Sequence, residues 1–216
     1  MALTHRLAWD HNAYYQRLLM RQLPEPCGRV LDVGCGAGAF AAQLATRVGH
    51  VDAVDRSPVM IEAARRRTPP NVTCILADVM QSALPANHYD AIVSVTALHH
   101  LPLDDALRHL APAVRPGGAL AAVVLPRSDL RHELPYEACA AVGHRAFGSV
   151  FAALRAVTRG SWYRIEPIHE VMPKVVAPPL TTRQARQLAT ATLPGARVRR
   201  LVFWRYLLRW RRPGET

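Results

Sequence analysis

Five short apolar runs punctuate the first half of the chain: Arg29–Val33, His50–Val54, Val72–Ala77, Tyr89–Val95 and Gly118–Leu125. Each has strand length and is rich in valine, isoleucine or leucine, whereas the segments between them show helical spacing. Helices are expected over Ala39–Val48, Pro58–Arg67 and Leu103–Val114. Ser57 stands as the N-cap of the second, with Pro58 at its first position, where a missing N–H costs nothing. The stretch VRPGG, Val114–Gly118, predicts a helix stop and a tight turn into the fifth strand. Such alternation predicts an α/β fold with a parallel, doubly wound sheet.

Beyond Pro126 the pattern loosens. A helix is expected over Tyr136–Ala156, followed by chain interrupted at Pro167, Pro173, Pro178 and Pro179. With no Gly- or Ser-rich linker in view, residues 1–216 predict a single domain, in which 127–180 is an insertion placed as a substrate lid and 1–24 a helical cap. Thr181–Leu193 is expected to be helical, and Ala196–Arg211 alternates as a pair of strands turning near Val202–Trp204. In the second of these, Tyr206, Leu208 and Trp210 share one face, and Arg205, Arg209 and Arg211 the other. So short a connection makes the pair antiparallel.

Half of the 216 residues are hydrophobic, yet the longest apolar stretch, Ala119–Leu125, is far too short for a membrane span. The N-terminal residues lack the apolar core of a signal peptide, so a cytoplasmic protein is expected. Cys27, Cys35, Cys74 and Cys139 have no paired spacing, which predicts reduced structural thiols and no metal site. The net charge of +11 is concentrated in residues 171–216, which hold ten basic residues and one acid. A basic face of this kind attracts nucleic acid, a membrane surface or an anionic substrate. No nucleic-acid motif accompanies it, so arginines coating the surface are the favoured alternative.

The chemistry sits at VLDVGCGAG, Val30–Gly38. A strand runs into Gly34, Gly36 and Gly38, which permit a tight turn and let a ligand approach the backbone. Asp55, at the tip of the next strand, stands where an acid accepts both hydroxyls of a ribose. A nucleoside-containing cofactor follows. GCGAGA alone also satisfies the dinucleotide pattern, leaving a nicotinamide-dependent oxidoreductase open. Asp32 before the loop, Asp78 after the third strand, SVTALHHL after the fourth and VRPGG before the fifth separate the two readings.

With these residues, the chain resembles the class I S-adenosylmethionine-dependent methyltransferases, especially the small-molecule group that includes quinone-biosynthesis enzymes. The resemblance covers Val30–Leu125 and extends to the terminal strand pair. It implies a Rossmann-like sheet of seven strands with the last inserted antiparallel, and S-adenosylmethionine as cofactor, leaving S-adenosylhomocysteine as product. It assigns Asp32 and the backbone of Gly34, Gly36 and Gly38 to the methionine portion, Asp55 to the ribose, Arg56 and Met60 to the adenine's side, Asp78 and Val79 to the adenine's edge, and Ser94 and Val95 to the sulfonium end. The segment WDHNAYYQRLL resembles a piece that closes over the cofactor, making His11, Asn12 and Tyr15 candidates for the roof. An ordinary amphipathic helix packing through Leu7, Tyr14 and Leu18 is the alternative.

Methyl transfer from a sulfonium needs alignment above all, and a base only where the nucleophile must lose a proton. His99 and His100 follow the fourth strand at the ligand edge and are candidates for that base; capping the loop is the alternative. His144, His169, Glu133, Glu137 and Tyr136 in the insertion are further candidates for that base, and Tyr136 and His144, with His11 and Asn12, for acceptor contacts; solvated residues of a lid are the alternative. Family members acting on exocyclic nitrogens usually carry an Asn or Asp, two prolines and an aromatic after the fourth strand. SVTALHH departs from this, which favours a small-molecule acceptor with an oxygen, nitrogen or carbon nucleophile.

Overall fold

A computed structural model describes residues 8–158, 160–163 and 178–214. Seven strands form one sheet: β1 (Arg29–Val33), β2 (His50–Asp55), β3 (Val72–Leu76), β4 (Tyr89–Val95), β5 (Val114–Val124), β6 (Arg197–Leu201) and β7 (Arg205–Arg211), in the order β3-β2-β1-β4-β5-β7-β6. The first five pair in parallel, and β7 is inserted antiparallel between β5 and β6, with Val124 opposite Tyr206. Helices α1 (His11–Met20), α2 (Ala39–Leu44), α3 (Pro58–Arg67), α4 (Leu103–Leu110), α5 (Leu130–Thr158) and α6 (Thr182–Thr192) cover the sheet.

Period-two alternation divides the apolar residues of the inner strands between two cores. Leu31, Ile92, Leu120, Ala122 and Leu208 meet Leu107 and Leu110 of α4 and Ala185 and Ala189 of α6. On the other face Val30, Val93, Ala121 and Val123 meet Leu19 of α1, Phe40 and Leu44 of α2, Ile61 of α3 and Phe151 of α5. Helices on both faces make this the doubly wound architecture that the strand-helix alternation predicts. The helical insertion between β5 and the β6–β7 pair is α5.

Several boundaries differ from expectation. The fifth strand begins at Val114, already paired with Tyr89, and VRPGG is a bulge inside it: pairing resumes at Ala91 with Ala119. Gly117 is left-handed there (φ +76°), and a Cβ on Gly118 would stand 2.7 Å from the Asp90 carbonyl oxygen. Pro112 shortens the preceding helix to Leu110 and closes it with a single 3-10 turn. The helix after the glycine loop ends at Leu44, and the Asn71 side chain, from beyond α3, donates to the Ala45 and Val48 carbonyls in the turns that follow it. The long helix starts earlier and ends later than Tyr136–Ala156. Leu7, His169, Pro167 and Pro173 lie outside the described residues.

Buried charge secures α5. Arg200 on β6 is in ion-pair contact with Glu133 at 2.8 Å, electrostatic rather than a well-aligned hydrogen bond, and its Nη2 donates to Glu137 at 2.9 Å. The Trp204 indole N–H donates to the other Glu137 oxygen. Glu133 and Glu137 are thus structural anchors of the insertion and not groups facing an acceptor.

Candidate active site

A cavity of about 1060 Å³ opens at the carboxyl edge of the parallel strands, between the glycine loop, α1 and the Gly160–Tyr163 segment after α5. The loop is held by its neighbours. Gly34 and Cys35 N–H both donate to the Val54 carbonyl, at 2.9 and 3.0 Å. Gly34 lies at φ +72°, and a Cβ there would come within 2.2 Å of Ala97 Cβ. We therefore expect Gly34→Ala to cost about 2 kcal/mol and lower the melting temperature by about 4–8 °C in thermal denaturation. An unchanged transition would contradict this. Gly38 is also left-handed, but its Cβ would strike Ala64 of α3 and Thr68 just after it; it serves helix packing and does not line the cavity.

Asp55 fixes this edge. One carboxylate oxygen accepts the Gly36 N–H and the other the Ser57 N–H, each at 2.9 Å, and the carboxylate lines the cavity with lone pairs to spare. Asp32 is different. It is 1% exposed, and its Oδ2 reaches no hydrogen-bond partner among the described residues although the side chain lines the cavity. Burial, and then the Asp55 charge, push it up to about 7. A buried carboxyl left so is a place for a cation. Cys35 is sealed beneath the loop, where burial raises its thiol far above the usual range, so it stays protonated.

Arg56, Met60, Asp78 and Val79 line the same cavity, as do Val95, His99, His100 and Asn12. Asp78 shapes its own turn by accepting the Met80 N–H at 2.9 Å. Thr96 ends β4 with φ 51°, unusual for a β-branched residue, and so directs the Ala97–Leu101 turn toward the cavity. His99 in that turn is buried, with Nδ1 unpartnered among the described residues. Burial, His100 and Arg205 drop it to about 4, so it is neutral at physiological pH. His100 is lowered as well, chiefly by burial.

Other expected contacts are placed elsewhere. Ser94 is buried and donates to the Val33 carbonyl at 2.8 Å, tying β4 to β1 behind the site. The Tyr15 hydroxyl donates to the Val202 carbonyl and anchors α1 to the β6–β7 turn. His11 and His144 face each other at 3.0 Å within an aromatic cluster of Trp9, Tyr14, Phe147 and Phe203. Burial holds His11 at about 3. Tyr136 is exposed on α5. None of these five lines the cavity: Ser94 points to the neighbouring strand, and helical periodicity turns the other four to α1's sheet-facing side, to the aromatic cluster or to solvent. Sequence reasoning missed Gln16 and Gln43, joined at 2.6 Å across the mouth, together with Phe40 and Arg205.

A family model described as a methyltransferase domain matches residues 30–118. An uncharacterized methyltransferase of Mycobacterium tuberculosis is 36% identical over 211 residues, covering 95% of this chain and 98% of the relative. The chain is a class I S-adenosylmethionine-dependent methyltransferase. The methyltransferase is also 33% identical over 146 residues to a ubiquinone biosynthesis O-methyltransferase of Methylocella silvestris, covering 59% of this chain and 57% of that one. In fold it is similar to a SAM-dependent methyltransferase structure from Aquifex aeolicus, with TM-score 0.58 and 19% identity over 94% of this chain and 90% of that one. Its cofactor is S-adenosylmethionine, and the residues present fit that group: an orphaned buried carboxyl oxygen for a cation, a loop that excludes Cβ atoms, and a carboxylate at the tip of β2. The nicotinamide alternative is set aside. Among the described residues, no helix is long and apolar enough to cross a membrane.

Proposed function

We propose that this methyltransferase acts on a small-molecule acceptor held beside the donor in the 1060 Å³ cavity. S-adenosylmethionine, when bound, would supply an electrophilic methyl carbon, to which the acceptor's nucleophile bonds in line as the carbon–sulfur bond breaks and S-adenosylhomocysteine is left. Asp32 receives the ammonium of the methionine portion, with the Gly34 and Gly36 backbone alongside. Asp55 accepts from the ribose hydroxyls, and Arg56, Met60, Asp78 and Val79 bound the adenine, while Val95 closes the sulfonium end. The observation that carries this reading is the unpartnered, buried oxygen of Asp32, a residue of the cavity wall. Ligand pockets for one small molecule span roughly 300–1000 Å³, so this volume suits donor and acceptor together. The relative named for ubiquinone biosynthesis supports the same class of acceptor.

Residues 127–180 serve as the acceptor's lid and 1–24 as a cap, their described parts meeting where the Asp10 N–H donates to the Tyr163 carbonyl at 2.8 Å. His99 orients the nucleophile and, staying unprotonated, accepts its proton where that nucleophile is itself acidic. Incubating the enzyme with radiolabelled S-adenosylmethionine and a fractionated lysate tests the reading: label is expected in the low-molecular-weight fraction. Label confined to protein or RNA would overturn it.

Asp32 also predicts a pH signature. Its folded-state pKa of about 7 means that below this pH a proton must leave before a cation can bind. S-adenosylhomocysteine affinity should therefore rise by about tenfold from about pH 6 to about pH 8, with proton release near the lower end, read by calorimetry in buffers of different ionisation enthalpy. Affinity that is flat across this range would remove Asp32 from the role.

A further inference from the structure

Because β7 runs against the parallel strands, its first residue arrives at their carboxyl edge, one step past the Val124–Tyr206 pair. That residue is Arg205, and it lines the cavity together with Leu125. Its Nη2 donates to Asn12 Oδ1 at 2.9 Å, and its Nη1 donates to the Phe203 and Trp204 carbonyls at 3.2 Å. Its Nε is enclosed and reaches no acceptor among the described residues. These hydrogen-bond partners are all neutral. Arg200 on the neighbouring strand shows the contrast, since its buried charge meets two glutamates. Asp10 attracts Arg205 across the start of α1, but that carboxylate accepts the Asn12 and Ala13 N–H groups as the helix cap. Burying a cation among neutral oxygens, with one N–H unmet, is costly until an anion joins it.

We propose that Arg205 is the recognition site for a carboxylate on the methyl acceptor, so that this enzyme's acceptors are partly apolar small molecules carrying one acid group. The inference rests on the reading of the cavity as a donor and acceptor pocket. A planar guanidinium matches a carboxylate in shape, and one fixed positive charge matches one negative charge. Arg56 and Arg67, which also line the cavity, belong to the donor's side, just after β2 and at the end of α3. Leu101, Leu125, Trp162 and Tyr163 supply apolar wall for the rest of the acceptor.

The same pairing bears on His99. The Arg205 charge is one of the causes that lower it, after burial and His100. An acceptor carboxylate seated on Arg205 offsets that charge and returns basicity to the imidazole when the nucleophile is in place. Substrates without the acid lose both the anchor and this effect.

The test uses the full chain saturated with S-adenosylhomocysteine and three probe pairs: 4-hydroxybenzoate, phenylacetate and octanoate, each against its primary amide. Calorimetry or quenching of tryptophan fluorescence reads binding. The acid of at least one pair is expected to bind about tenfold or more tightly than its amide, because a charge-assisted contact replaces a neutral one. In Arg205→Gln that preference should disappear, and in Arg205→Lys, which keeps charge without the fork, it should shrink. Equal binding of acid and amide throughout, no binding of any acid, or a preference surviving in Arg205→Gln would each overturn the proposal. The wild-type pairs decide the matter even if the variants do not fold. If the wild-type protein fails to bind S-adenosylhomocysteine at all, the donor-site reading fails instead, and the two failures are told apart at the first titration.

Discussion

Asp55→Ala should weaken S-adenosylhomocysteine binding by about 100-fold or more. The proposed site asks this one carboxylate to accept from two ribose hydroxyls, and a hydrogen bond to a charged group contributes about 1.5–3 kcal/mol. It also holds the Gly36 and Ser57 amides, so its removal frees the glycine loop and the start of α3 together. Asp55→Asn separates these roles. The amide keeps one carbonyl oxygen for an N–H but presents a donor on the other side, so a loss of intermediate size is expected. Calorimetric titration of the variants checks this, beside a melting curve to follow the fold. A change of threefold or less in Asp55→Ala would remove Asp55 from the binding site.

Arg200→Met should destabilise the protein by about 3–5 kcal/mol, because it leaves Glu133 and Glu137 buried without their counter-charge. Their side chains are 12% and 13% exposed, so water screens them poorly. The triple replacement of Arg200, Glu133 and Glu137 by apolar residues of similar volume should recover most of the loss, since attraction within such a cluster roughly balances the cost of desolvating it. Denaturant unfolding reads both. A single variant as stable as the wild type would show that the cluster does not hold α5, and a triple variant as unstable as the single would show that attraction within it outweighs the cost of desolvation.

The parallel half of the fold is legible because its signals are local. Strand alternation, three glycines and a serine-proline helix start each act within a few residues of themselves, and they place β1 to β4 and α3 closely. Boundaries set by distant partners are not. The turns after α2 are tied by the Asn71 side chain from beyond α3, and VRPGG has the composition of a turn whether or not the strands on either side of it continue to pair. At the site, Asp55 stands out by its place at the tip of β2, whereas Asp32 and Asp78 stand out through the family resemblance. His11 and His144 look equally functional in one dimension, yet the aromatic cluster that absorbs them is built from residues far apart in the chain. Arg205 shows the reverse case. It shares a strand face with Arg209 and Arg211, and only the antiparallel insertion of β7 brings it to the ligand edge.

That insertion also orders events during synthesis. The outer edge of β5 must stay bare until β7 has left the ribosome, and β6, though made earlier, has no place in the sheet until β7 arrives to carry it. The donor half can therefore assemble while the nascent chain is still growing, whereas the acceptor end closes only with the final hairpin. During that interval Ala119–Val124 presents a row of unpaired backbone N–H and C=O groups, an edge on which a wrong strand can pair.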